Sequence, residues 1–76
     1  MNSKVHIDAR DVRSPAPFIQ IEAAFRDIPV GETVTVSADD PLFPTDLNLW
    51  CESTGHHLVG LEVVGAWFVA VIRRKK

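Results

Sequence analysis

Few residues in this chain are of a type that does chemistry. Ser14 stands between Arg13 and two prolines, Pro15 and Pro17. Cys51 is the single cysteine, His56 and His57 are adjacent, and Asp39, Asp40 and Asp46 lie close together in sequence. A nucleophilic serine needs a base within hydrogen-bond reach. No Gly-x-Ser-x-Gly elbow surrounds Ser14, and strand geometry does not guarantee that His6, the one candidate base, comes near. Cys51 falls mid-helix beside Trp50, where a thiol is expected to be a buried, inert core group. Cys51, His56 and His57 match no zinc spacing, and adjacent histidines on a strand point apart. The three aspartates read as helix caps and a turn. No metal and no cofactor is expected.

Ser14 also has a structural reading, and it leads to the elements that must position it. Serine is a favoured N-cap. Pro15 would then take the first helical position, where a missing N–H costs nothing, and Pro17 would stay within the first turn. Ile21, Ala24, Phe25 and Ile28 follow at helical spacing, with Phe18 joining that face. The helix should stop before Pro29 and Gly31. Before it, residues 4–8 alternate polar and apolar as a half-buried strand. After it, residues 33–37 alternate again, with Val34 and Val36 inward. Ala38-Asp39-Asp40-Pro41 repeats the pattern of cap and proline, but Pro44 would interrupt a helix begun there. The expectation is a single turn over 42–45, then a helix over 46–54 closed by Gly55, with Phe43, Leu47, Trp50 and Cys51 inward. Gly65-Ala66 divides the remainder into strands 58–64 and 67–73 joined by a type II′ turn. Both arms are apolar at nearly every position, which predicts central strands covered in part on both sides. The order β-α-β-α-β-β predicts an α/β (α+β) two-layer sandwich, with two helices on one face of a four-stranded mixed sheet.

Length and composition agree. The chain has 76 residues, 46% of them hydrophobic and 24% charged, so residues 1–76 are expected to form one small globular domain. The N-terminal stretch lacks the apolar core of a signal peptide, no run reaches the ~20 residues of a membrane span, and one cysteine permits no internal disulfide. The expected place is the cytoplasm. The formal net charge of -2 argues against a general DNA binder. Arg73, Arg74, Lys75 and Lys76 close the chain as a solvated tail or as an electrostatic contact for an acidic partner or RNA.

In this order the segments resemble the TusA/SirA family of small, bacterial-type sulfur-carrier proteins, over nearly the whole chain. "IDARDVRSPAP" is similar to that family's first strand and Arg-Cys-Pro-x-Pro motif. "PVGETVTVSADDP" is similar to its second strand and acidic turn, "DLNLWCESTGHHLV" to its second helix and Gly-His exit, and "VIRRKK" to its basic end. The resemblance implies a protein that takes a persulfide sulfur on the motif cysteine and passes it to a partner protein. Sulfur donor and acceptor proteins are thus the implied partners, with tRNA involved only indirectly and neither DNA nor a membrane.

At the decisive position the sequence departs from that pattern. Ser14 stands in the cysteine's place, and a hydroxyl forms no persulfide. The resemblance therefore implies a chain that does not carry sulfur, and does not act as a sulfurtransferase, at this site. Arg13, Ser14, Pro15 and Pro17 would then serve a binding or regulatory module, or only the fold. The other account is a genuine carrier, for example in tRNA thiolation or sulfur metabolism, whose cysteine has been changed to serine. Asp11 stands where the family usually has glycine, so an altered loop is expected. Residues 19–24 lack the basic residues common on the family's first helix, which favours natural divergence.

Overall fold

The computed structural model describes residues 3–76. Its elements are β1 (Val5–Ala9), α1 (Ala16–Arg26), β2 (Thr33–Ala38), α2 (Phe43–Thr54), β3 (His57–Val64) and β4 (Trp67–Arg73). The sheet order is β1-β2-β4-β3. β1 and β2 are parallel, whereas β4 runs antiparallel to both its neighbours, so the sheet is mixed as predicted.

Register explains which side chains make the core. Val5, Ile7 and Ala9 sit beside Val34, Val36 and Ala38, and the last two of these beside Ala70 and Phe68. Side chains two apart share a face, so these residues form one apolar surface. Both helices pack on it. Phe18, Ile21 and Phe25 of α1 and Phe43, Leu47 and Cys51 of α2 are buried there. The helices meet through aromatic rings, with Phe18 5.9 Å from both Phe43 and Trp50. Trp50 Nε1–H donates to Glu22 at 3.3 Å across the pair.

Three expectations change. First, the N-cap of α1 is Pro15 and no side chain caps the helix. Ser14 lies one residue too early. The Ser14–Pro15 peptide is cis, and Ala16 N–H donates to the Arg13 carbonyl at 2.9 Å, a turn with cis-proline third, as in type VI. Second, α2 begins at Phe43, after a turn over 40–43 closed by Phe43 N–H to the Asp40 carbonyl at 2.9 Å, and residues 43–45 already belong to the helix. Its N-cap is Leu42, so Pro44 occupies the second helical position, where a backbone N–H has no partner to lose. Third, β4 is central but β3 is an edge strand, and Val63 is 74% exposed. The hairpin holds as predicted: Gly65 has φ +59 and Ala66 has no positive φ, the signs of a type II′ turn.

Candidate functional site

β1 and β2 are parallel, and each is followed by a helix. The loops 10–15 and 39–42 therefore meet at one end of the sandwich, with the first turns of α1 and α2 beside them. Asp40 joins the two loops. It is 6% exposed. Its Oδ1 accepts from Leu42 N–H at 3.0 Å and its Oδ2 from Ser14 N–H at 3.3 Å. These bonds, led by the one from Leu42, hold its carboxyl below the ordinary range, since donated N–H groups stabilise the anion. Asp39 makes a second tie. Its Oδ1 accepts from Asp11 N–H at 3.0 Å and from Arg13 Nη1 at 3.2 Å.

Asp11 takes a backbone conformation that glycine adopts readily. Its φ is +67, in the left-handed region that aspartate tolerates better than most residues. Next to it, Arg10 grips Asp8 through two bonds of 2.9 and 3.0 Å and lies 4.9 Å from the Trp67 ring centroid. The Arg10 side-chain bond chiefly, with its backbone N–H, lowers Asp8 to about 2.

Ser14 is thus exposed where both helices begin, with its backbone fixed and its hydroxyl unused as a cap. Arg13 and Pro15 are exposed beside it, but Pro17 is fully buried in the core and offers nothing to a partner. Leu42, tied to the same Asp40 carboxylate, is 63% exposed, and Ile19, whose N–H donates to the Pro15 carbonyl, is 62% exposed. The charged side chains of the two loops around Ser14 are Arg10 and Arg13 against Asp11, Asp39 and Asp40, with Arg10 also paired to Asp8.

The other candidates lie elsewhere. His6, on β1, pairs in register with Thr35 of β2 and lies on the face of the sheet away from the helices. Cys51 is buried and burial pushes its thiol pKa up, the condition of an inert thiol. Asp46 stands in the first turn of α2, where a carboxylate is favoured. His56 follows the Gly55 cap. Burial first, then Arg74 and Lys76, lower its pKa, so it does not act as a cation at the helix end. No group of three or more potential metal ligands exists among the described residues. Of the basic end, Arg73 belongs to β4 and Arg74 is half-buried, leaving Lys75 and Lys76 exposed. The ties of Asp39 and Asp40 to residues 11–14 were not foreseen, because no local pattern links positions 26–28 apart.

The fold is a two-layer α/β sandwich with one short exposed side chain, Ser14, beside the starts of both helices. The family model described as "Sulfurtransferase TusA" matches residues 5–74, and the chain belongs to that family. It is 31% identical over 65 residues to "Putative sulfur carrier protein YrkF" of Bacillus subtilis (strain 168), covering 86% of this chain and 35% of that protein. The chain thus spans about a third of the length of this relative. It also resembles the crystal structure of a SirA-like protein from Desulfitobacterium hafniense, with a TM-score of 0.78 and 25% identity, over 95% of this chain and 99% of the other. Among the described residues no helix is long and apolar enough to cross a membrane.

Proposed function

We propose that this chain is a TusA-family docking module that does not carry sulfur at position 14. The observation that carries this reading is Ser14 itself: an exposed hydroxyl at the place the family resemblance gives to the sulfur-accepting cysteine. Sulfur relay moves one sulfane sulfur from a donor persulfide to an acceptor thiolate. The acceptor gains an S–S bond, the donor leaves as its thiolate, and there is no net change in oxidation state. A serine oxygen, not ionised near neutral pH, has no counterpart to that step.

The surroundings support docking. Asp11, Asp39 and Asp40 outnumber the guanidinium groups of Arg10 and Arg13 in the two loops, and Arg10 is itself paired with Asp8, so the balance of charge disfavours a thiolate here. Pro15, Ile19 and Leu42 give the same end an apolar rim. An acidic surface with an apolar rim suits a protein partner with basic residues around an apolar contact. Arg13 orients the loop through Asp39, and Arg10 is held by Asp8.

The second reading, a carrier whose cysteine has become serine, is favoured by the exposed placement of position 14 at two helix N-termini, which aid a thiolate. One experiment separates them. The folded native chain and Ser14→Cys are incubated with a persulfide donor protein, then weighed intact. The docking reading expects no gain for the native chain and, with three carboxylates nearby, little for Ser14→Cys. Ready gain of about 32 Da, one sulfur atom, by Ser14→Cys supports the carrier reading. Gain by the folded native chain, which could only be at Cys51, overturns the docking reading.

A further inference from the structure

At the opposite end of the sandwich, where the helices finish, a cleft of about 220 Å³ is lined by Glu22, Phe25, Arg26, His56, Arg74 and Lys76. We propose that this cleft binds a phosphate group, in the form of a phosphomonoester dianion. Three of the chain's eight basic side chains gather here around a single carboxylate. With His56 neutral, the lining side chains carry a net charge of +2 in a chain whose formal charge is -2. A doubly charged ligand matches that balance better than the single charge of a carboxylate or phosphodiester.

The cations come from two parts of the chain, Arg26 at the end of α1 and Arg74 and Lys76 just after β4. Glu22, Phe25 and Arg26 are three and four apart on α1, one face of its last turns. Arg74 is anchored: its backbone N–H donates to the Glu32 carbonyl at 2.9 Å, its Nε to the Lys76 carbonyl at 2.7 Å and its Nη1 to the Ile28 carbonyl. Those two side-chain bonds use two of the five N–H donors of a guanidinium, and the rest of the fork stays rigidly placed at the cleft. Rigid guanidinium forks suit phosphate oxygens. Lys76 lies over Gly55, where an added Cβ would come 3.0 Å from its Cε, so this glycine leaves room for the lysine. Glu22, the one carboxylate of the lining, accepts from Trp50 Nε1–H at 3.3 Å.

His56 completes the set. Its ring packs edge-on to Phe25 at 4.7 Å and near Trp50 at 5.5 Å. Nδ1 accepts from Lys75 N–H at 3.1 Å, which makes Nε2–H the donor of the neutral ring. Arg74 and Lys76 help keep that ring neutral. A bound dianion would offset them and raise its pKa, giving a readout at the cleft itself.

The test titrates the full chain with inorganic phosphate, with chloride at matched ionic strength as reference, following the His56 ring and backbone amides by NMR. Saturable shifts at 26, 56 and 74–76, with the His56 pKa rising, are expected. Arg26→Gln should weaken binding by roughly tenfold, and Arg10→Gln, at the other end of the sandwich, should leave it unchanged. A dinucleotide carrying one phosphodiester should bind more weakly than a nucleoside monophosphate, and equal or tighter binding would overturn the assignment to a monoester. Shifts that stay linear, that chloride reproduces, or that Arg10→Gln reduces as much as Arg26→Gln would overturn the site. The phosphate titration is independent of the persulfide test on Ser14.

Discussion

At the residue scale, neither Ser14 nor Asp40 keeps the cap role that the sequence suggested. A serine before two prolines reads as a cap, yet Ser14 caps nothing, and the aspartate 26 residues later holds both loops. Ser14→Ala should therefore change stability by less than about 0.5 kcal/mol, the scale of surface substitutions away from caps, in a urea titration. A working cap would cost about 0.5–2 kcal/mol. Asp40→Ala should lower the Tm by about 5 °C or more, since two backbone donors lose their acceptor. The sign of the acid response follows. Asp40 is depressed below its ordinary 3.8, so its stabilisation is complete above that value and fades as the pH falls through the lower folded-state value. Asp8, lowered to about 2, has the same sign and its loss extends further into acid. Asp40→Asn should make acid unfolding less steep below pH 4, measured by circular dichroism, and Asp8→Asn should remove a separate part. Cys51 is buried, as its mid-helix position suggested. A thiol reagent should label it at least tenfold faster in urea than in the folded chain.

At the element scale, hydrophobic period carried most of the fold. Residues 21, 24, 25 and 28, the alternation in 33–37 and the Gly65 hairpin could each be read because their signals are local. The misreadings needed information from outside the segment. Pro44 looked like a helix breaker only because the cap was placed at Asp40, two residues before Leu42, the actual cap. The strand order could not be read from 57–73, since apolar residues on both faces are equally suited to a centre and to an edge. The candidate site was legible in part: position 14 stood out, but its ties to Asp39 and Asp40 depend on two loops meeting in space. Glycines give an element-scale test. Gly55 ends α2 at φ +81 with Lys76 against it, whereas Gly60 lacks a positive φ and has open space where a Cβ would go. Gly55→Ala should cost about 1–2 kcal/mol, while Gly60→Ala should be neutral or slightly stabilising, both read from urea midpoints at equal slope.

At the scale of the whole molecule, one apolar layer between two helices and one sheet face has to hold 76 residues, a size at which buried area is scarce. β1 and β4 flank β2, so the centre of the sheet is well covered. β3 closes the sheet with only one neighbour, and near its end Val63 and Val64 are 74% and 40% exposed. Edge strands that show backbone donors and apolar side chains together invite pairing between chains, and a lysine on the edge is the usual remedy. Glu62 is the charge already present there. Val63 contributes little to the core, because most of its surface stays in solvent, so replacing it removes little burial. Val63→Lys should therefore leave the urea midpoint nearly unchanged, within about 0.5 kcal/mol, and should reduce concentration-dependent association seen by light scattering or sedimentation. If association persists unchanged in Val63→Lys, contact between chains does not run through β3, and the apolar rim of Pro15, Ile19 and Leu42 becomes the surface to substitute next.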